Sequence, residues 1–359
     1  MADYLRPLPP KRINIELRQN ASPLLQAAII AGGLGIGLAI ATLILMASGV
    51  GPGDLVNEFV VAIFSSPQSL SAVLVQAAPL LIVGLSAAVA FRVRFWNIGI
   101  EGQMILGSIA ATAIAINDIG PPSIRLLLMG LAAAAAGMAW IVVPTLLRIR
   151  LGINEIISTL LLNYVAFNFL LHLLYGAWRD PKSSFPNSEQ FGTAERLGLV
   201  GWENLTYALP LALVLALLAW WLLNLSRFGF FTRVVHANPR MAAAAGLPVT
   251  AVILISAMLS GALSGLAGFA ISAGVEYRLT QSYFVGYGFS GILIGFLARN
   301  NPIAAIIVAL LVAVLFVGGQ SLQVFYQIPG SMVQLVQAII VICVASSDFF
   351  VRHRLRLLR

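Results

Sequence analysis

Two polar clusters interrupt a chain that is otherwise almost continuously apolar: Phe95-Trp96-Asn97-Ile98-Gly99-Ile100-Glu101-Gly102-Gln103 and Gly152-Ile153-Asn154-Glu155-Ile156-Ile157-Ser158-Thr159. Each places an asparagine and then a glutamate where an apolar run begins. An asparagine there can cap a new helix, and a carboxylate near the start meets the positive end of the helix dipole. A second role fits the same positions. Glu101 and Glu155 would bind neighbouring loop arginines, such as Arg92 or Arg148, and with Asn97 and Asn154 set a gate at the inner end of the spans. Spacing does not separate the two. Deeper in the runs, Gln103 and Asn163 carry amides that must find partners or water inside hydrocarbon. Either they bind a neighbouring helix or they face a polar pathway.

Other chemistries are poorly served. A phosphate-binding loop needs Gly-Lys-Ser/Thr, yet the two lysines are Lys11, followed by Arg12, and Lys182, preceded by Pro181. No nucleotide site is recognisable, so ATP use must come from a partner. The 13 acidic residues fall in loops or at the ends of apolar runs, which disfavours ion coupling through carboxylates at mid-membrane. His172, His236 and His353 lie near a span end, in a loop and in the tail. Cys343 is the one cysteine, which excludes an intrachain disulfide and a multi-cysteine metal site and reads as an inert core thiol. No metal or other cofactor is expected.

A third segment carries a complete set of helix signals: Arg233-Val234-Val235-His236-Ala237-Asn238-Pro239-Arg240-Met241-Ala242-Ala243-Ala244-Ala245-Gly246-Leu247. Asn238 is placed to cap, Pro239 suits the first helical position, the alanines propagate and Gly246 stops the helix. The spacing predicts a short helix in the loop between two spans.

These segments must be positioned by membrane-spanning helices. The 359 residues are 60% hydrophobic and 9% charged, with mean hydropathy +0.95, a balance that a water-soluble domain could not keep without large exposed apolar patches. Apolar runs of roughly 20 residues match a hydrocarbon core of about 30 Å, and continuous runs argue for helices over a barrel. The runs predict an all-α integral membrane protein with about ten spans, near 23–48, 70–91, 101–119, 122–147, 153–175, 204–225, 250–273, 286–298, 302–318 and 331–347. The eighth is short and reads as a half-helix or a broken span. Glycine and alanine in Gly261-Ala262-Leu263-Ser264-Gly265-Leu266-Ala267-Gly268 mark close helix packing.

An N-terminus in the cytoplasm puts 16 of the 21 Lys and Arg residues on that side, leaving Arg125, Arg179, Lys182, Arg196 and Arg278 outside. That split satisfies the positive-inside rule, and both termini are then cytoplasmic. The net charge of +8 is carried in short loops and not on one folded face, so nucleic acid is not an expected partner. Three regions follow: a cytoplasmic segment 1–22, a transmembrane domain 23–347 with an internal loop 226–249, and a basic tail 348–359. Setting span 1 aside, spans 2–5 and 7–10 are offset by five, which makes their directions opposite and fits an inverted repeat.

At these residues the chain resembles the permeases of ABC importers for simple sugars, nucleosides and branched-chain amino acids. The segment 97–103 is similar to that family's Asn-Ile-Gly-x-Glu-Gly-Gln signature, and Asn154 to Tyr164 resembles the Asn-Glu-x-Ile-x-Thr-Leu-Met-Leu-Asn-Tyr run of the nucleoside branch. The loop from Arg233 to Gly246 resembles the family's coupling segment, with His236 where a glycine is usual. The likeness covers about Leu70 to Ser346. It implies two permease subunits, as a homo- or heterodimer, a pair of cytoplasmic ATPase domains and an external substrate-binding protein, in a bacterial cytoplasmic membrane. It also implies that the ATPases engage Arg233, Asn238, Pro239, Ala243, Ala244 and Gly246. Among small polar solutes the 154–164 run favours a nucleoside, then a simple sugar, then a branched-chain amino acid. A self-sufficient secondary carrier is the rival class.

Overall fold

The computed structural model describes residues 12–18, 22–283 and 286–358; the basic residues Arg6, Lys11 and Arg359 lie outside these. Each apolar run forms a helix. In chain order the elements are β1 (Arg12–Leu17), α1 (Pro23–Ala47), α2 (Pro52–Val56), α3 (Ala62–Ser65), α4 (Pro67–Phe91), α5 (Ile100–Ile116), α6 (Pro122–Leu151) and α7 (Glu155–Tyr175). They continue with α8 (Ala208–Asn224), α9 (Arg227–Ala237), α10 (Pro239–Ala244), α11 (Val249–Ile271), α12 (Tyr287–Leu297), α13 (Pro302–Phe325), α14 (Gly330–Arg352) and β2 (His353–Leu358). Proline opens α1, α4, α6, α10 and α13, where its missing N–H costs nothing. Ser22, Ser66, Asn154, Ser226 and Asn238 cap helices with their side chains, and Gly152, at φ +67°, ends α6 in the left-handed conformation.

Among the described residues, seven helices are long and apolar enough to cross a membrane, and α8 with α9 forms a pair bent by 66° that would make an eighth. The other two expected spans, α5 and α12, are shorter. At 1.5 Å per residue they reach only about 25 and 16 Å, against a hydrocarbon core of about 30 Å.

The chain divides into two units, 57–319 and a smaller one of 1–56 with 320–359, the boundary falling within α13. In the larger unit α11 packs against α4, α5 and α6, while α4 also meets α8 and α12, and α5 meets α7. Small residues set these approaches. A Cβ on Gly107 of α5 would fall 2.5 Å from the Cα of Gly265, and one on Gly137 of α6 would meet the carbonyl oxygen of Gly261. The glycine run of α11 is therefore a packing seam, as its composition suggests.

In the smaller unit α1 packs on α14, with Gly33 and Gly37 close to Ser347 and Cys343. Cys343 is partly exposed and not fully enclosed as a core thiol would be. The chain around the expected tail is also more ordered than a solvated basic segment. α14 continues to Arg352, and β2 pairs antiparallel with β1, Glu16 meeting Arg354 at 2.7 Å. Period-two alternation in Arg12-Ile13-Asn14-Ile15-Glu16-Leu17 and His353-Arg354-Leu355-Arg356-Leu357-Leu358 explains the ribbon, the exception to an all-helical fold. The short helices α2 and α3, joined by a π-helical turn at Asn57–Val61, and the amphipathic α9 were not expected from the sequence.

Candidate functional site

The two polar clusters are parts of one clamp. Glu155, Thr159 and Asn163 recur every four residues along one face of α7, and each holds the chain that feeds α5. Glu155 Oε1 accepts from the Trp96 amide at 3.3 Å and from Arg148 Nη1 at 2.7 Å. Thr159 Oγ1 accepts from the Ile98 amide at 3.2 Å. Asn163 is bidentate: its Oδ1 accepts from the Gly102 amide at 2.8 Å and its Nδ2 donates to the Ile98 carbonyl at 2.9 Å. The first amides of α5 lack partners within their own helix, and Asn163 supplies one from outside. Gly99 and Gly102 make this possible, since a Cβ on either would fall within 3.0 Å of Thr159 or Asn163.

A second network ties the start of α5 to α4 and α11. Asn97 exchanges two hydrogen bonds with Gln103, at 3.0 and 2.9 Å, and donates to Ser260 Oγ at 2.9 Å. Ser86 Oγ lies 2.9 Å from Ser260 Oγ and 2.8 Å from Ser264 Oγ. Since Asn97 and Ser86 share Ser260, the chain after α4 folds back alongside its last turns before α5 starts.

α12 also starts inside the bundle. Tyr287, its first residue, accepts from Gln76 Nε2 at 2.7 Å, and Gln76 is near the middle of α4. Gly288 donates its amide to Glu101 Oε2. The N-termini of the two short helices thus meet at one buried carboxylate, which faces the positive ends of both. Glu101 is 2% exposed, and its Oε1 has no hydrogen-bond partner among the described residues.

The loop helix lies below this region. In α10, Asn238 Oδ1 accepts from the amides of Arg240 and Met241 at 3.0 and 3.1 Å, Pro239 is the first helical residue, and Gly246 is left-handed at φ +80°. Ala242 is buried in a cluster with Val93, Phe95, Val235 and Val252, while Met241, Ala243 and Ala244 are exposed. Packed side chains therefore run from α10 to Phe95, two residues before Asn97. Arg233, on α9, is exposed. Its charge, added to a larger effect of burial, lowers the pKa of Arg92, which bonds Asn224 at the end of α8 and the Asn300 carbonyl after α12, both at 3.3 Å.

At the far end of α5, Arg125 bonds Asp118 and Glu195, with side chains of Arg125 and Glu195 only 10% and 6% exposed. Asp118 and Glu195 also line a polar depression of ≈ 370 Å³ together with Glu189, Gln190 and Thr193.

The expected arginine partnership holds for Glu155, through Arg148, and fails for Glu101, which turns inward to α12. Asn154 caps α7 as expected. Asn97 does not occupy the cap position of α5, which is Gly99; it instead accepts from the Gly99 amide at 3.1 Å and pairs with Gln103. Gln103 and Asn163 are 1% and 2% exposed and spend their amides on other chain segments. Gln76, Ser86, Ser260 and Tyr287 were missed. Gln76 is the single amide in the interior of its apolar run, and Ser260 and Ser264 have i, i+4 spacing, which are the signals that point to them.

Residues 69–345 match the family described as "Branched-chain amino acid transport system / permease component". The glucose ABC transporter permease protein TsgB13 of Haloferax volcanii is 36% identical over 329 residues, covering 88% of this chain and 86% of that protein. The guanosine ABC transporter permease protein NupP of Bacillus subtilis is 31% identical over 316 residues, 87% and 91% of the two. The nucleoside ABC transporter permease protein NupB of Lactococcus lactis is 27% identical over 323 residues, 86% and 88% of the two. No solved structure matches. With a match that begins at the start of α4 and ends within α14, and with relatives of similar length, the chain belongs to this permease family of ABC transporters, as a multi-pass membrane subunit that transports and is not an enzyme.

Proposed function

We propose that this permease forms the translocation pathway for a solute built on a hydroxylated sugar ring, a nucleoside first and a simple sugar second. The family implies an ATPase and a substrate-binding protein as partners. The observation that carries the solute reading is the run Asn154 to Tyr164, in which Glu155, Thr159 and Asn163 clamp the signature 97–103. Relatives that are glucose, guanosine and nucleoside ABC transporter permeases support the same class. A branched-chain amino acid is the third reading.

In this account the ATPases engage the α9–α10 segment through Arg233, Asn238, Pro239, Ala243, Ala244 and Gly246, and the packed contact from Ala242 to Phe95 carries their motion to the start of α5. Asn97, Glu101, Gln103, Asn154, Glu155 and Asn163 form the inner gate or the adjoining pathway, most as positioning groups. The functional unit pairs two permeases in a bacterial cytoplasmic membrane, with both termini of the chain inside. An inverted repeat of spans 2–5 and 7–10 is supported by one correspondence. α5 and α12, the short helices, are the second members of the two sets, as expected where a broken pair frames a site.

The test is uptake into proteoliposomes that contain the permease with its neighbouring permease, ATPase and binding protein. ATP-dependent accumulation of labelled guanosine, with glucose weaker and leucine absent, is the expected order. Uptake of leucine alone would overturn the solute class.

A further inference from the structure

The junction of α5 and α12 holds groups that the protein leaves incompletely paired. Glu101 spends Oε2 on the Gly288 amide and has the Gly286 amide close to its carboxylate as well, while Oε1 is buried with no hydrogen bond among the described residues. Tyr287, next in sequence to Gly288, uses its oxygen to accept from Gln76, so its hydroxyl proton is free to be donated. Gln76 and Tyr287 are 9% and 6% exposed. A buried carboxylate oxygen without a hydrogen bond is costly, and so is a buried hydroxyl proton without an acceptor. The two short helices both begin here, and Gln76 places the junction near the middle of α4. One ligand chemistry answers both deficits: a hydroxyl group donates to the carboxylate oxygen and accepts from the tyrosine.

The geometry points to this cluster, Glu101 with Gln76 and Tyr287, as the point in the pathway that reads the vicinal hydroxyls of the solute's sugar ring. This rests on the proposed function and extends it, because it assigns the permease a selectivity of its own. The selectivity lies in the sugar and not in the base. Glu101 accepts from one hydroxyl, and Tyr287 donates to the same or the adjacent one. Gln76 fixes the tyrosine.

The experiment uses the complete reconstituted importer with saturating solute, so that capture by the binding protein does not set the rate. Maximal uptake of guanosine is compared with that of 2′,3′-dideoxyguanosine, and that of glucose with 2-deoxyglucose. The wild type should favour the fully hydroxylated member of the transported pair by tenfold or more. Glu101→Gln puts an amide donor where an acceptor stood, and Tyr287→Phe removes the hydroxyl. Either should lower the preference at least fivefold, mainly by slowing the hydroxylated member. If Glu101 only caps α12, Glu101→Gln slows both members alike, and an unchanged preference in both variants overturns the inference. Tyr287→Phe keeps the test open if Glu101→Gln does not fold, because its backbone partners are untouched. A wild type that takes up neither guanosine nor glucose refutes the proposed function itself, and this inference with it.

Discussion

Replacing Asn163 with alanine should loosen the bundle at a place where the cost can be worked out. The substitution removes two hydrogen bonds, at 2.8 and 2.9 Å, and strands the Gly102 amide and the Ile98 carbonyl. An orphaned buried group costs about 1–3 kcal/mol, or about 2–6 for the pair. Interhelical hydrogen bonds measured inside membranes are weaker, about 0.6 and at most about 1.7 kcal/mol each, or about 1–3.5 for two. The ranges overlap at about 2–3.5 kcal/mol, which is the expected loss. Gly102→Ala attacks the same contact from the other side, because its Cβ would fall 2.8 Å from Asn163 Oδ1 and 3.0 Å from Asn163 Cα. That crowding should cost about 1–3 kcal/mol. Truncating Asn163 removes the Oδ1 contact but not the Cα one, so the double variant should recover about 1 kcal/mol relative to the sum. Denaturant titration of the purified permease in detergent measures all four corners of the cycle. A loss below about 0.5 kcal/mol for Asn163→Ala, or additivity within about 0.3–0.5 kcal/mol, would show that the clamp is not a coupled unit.

Three further outcomes follow from the packing. Ala243→Arg and Ala244→Arg place large charges on the exposed side of α10 and should abolish ATPase binding, seen by co-purification, while the permease still inserts; binding by both variants would refute the coupling role. Arg125→Ala leaves Glu195 buried and unpaired and should cost about 3–5 kcal/mol, read from the same titration, with most of the loss recovered in Arg125→Ala/Glu195→Ala. Gly265→Val puts a branched side chain where a Cβ already meets the Ala133 carbonyl, and it should prevent recovery of folded protein, judged by gel filtration.

The fold was largely legible because the membrane imposes one length scale, and each apolar run became a helix, most within a few residues of the expected ends, with α13 and α14 running on to Phe325 and Arg352. What the runs could not show was depth. Ile100 to Ile116 reads as an ordinary span, but Phe95 and Asn97 fold back into the bundle first, and the polar cluster that marks the break does not say how deep the next helix starts. The site was half legible for a related reason. Asn154 and Asn238 act on neighbours within their own stretch of chain, and Glu155 pairs with Arg148 seven residues back, so capping chemistry and loop charge identify them, although the bond from Glu155 to the Trp96 amide, 59 residues away, was not legible. Glu101 bonds Gly288, 187 residues away, and Asn163 bonds residues 61 and 65 positions back. Such partners come from tertiary packing, and a single sequence carries no register between distant helices. The terminal ribbon was missed because charge and position suggested a solvated tail, although the period-two alternation was there to be read.

The central claim is that this subunit provides a path and no energy of its own. It is tested most directly by loading proteoliposomes with ATP and following labelled solute against its gradient, with the permease pair alone and with ATPase and binding protein added. The account predicts accumulation only in the complete assembly, dependent on hydrolysable ATP and indifferent to an imposed proton or sodium gradient. Accumulation by the permease alone, driven by either ion gradient, would contradict it.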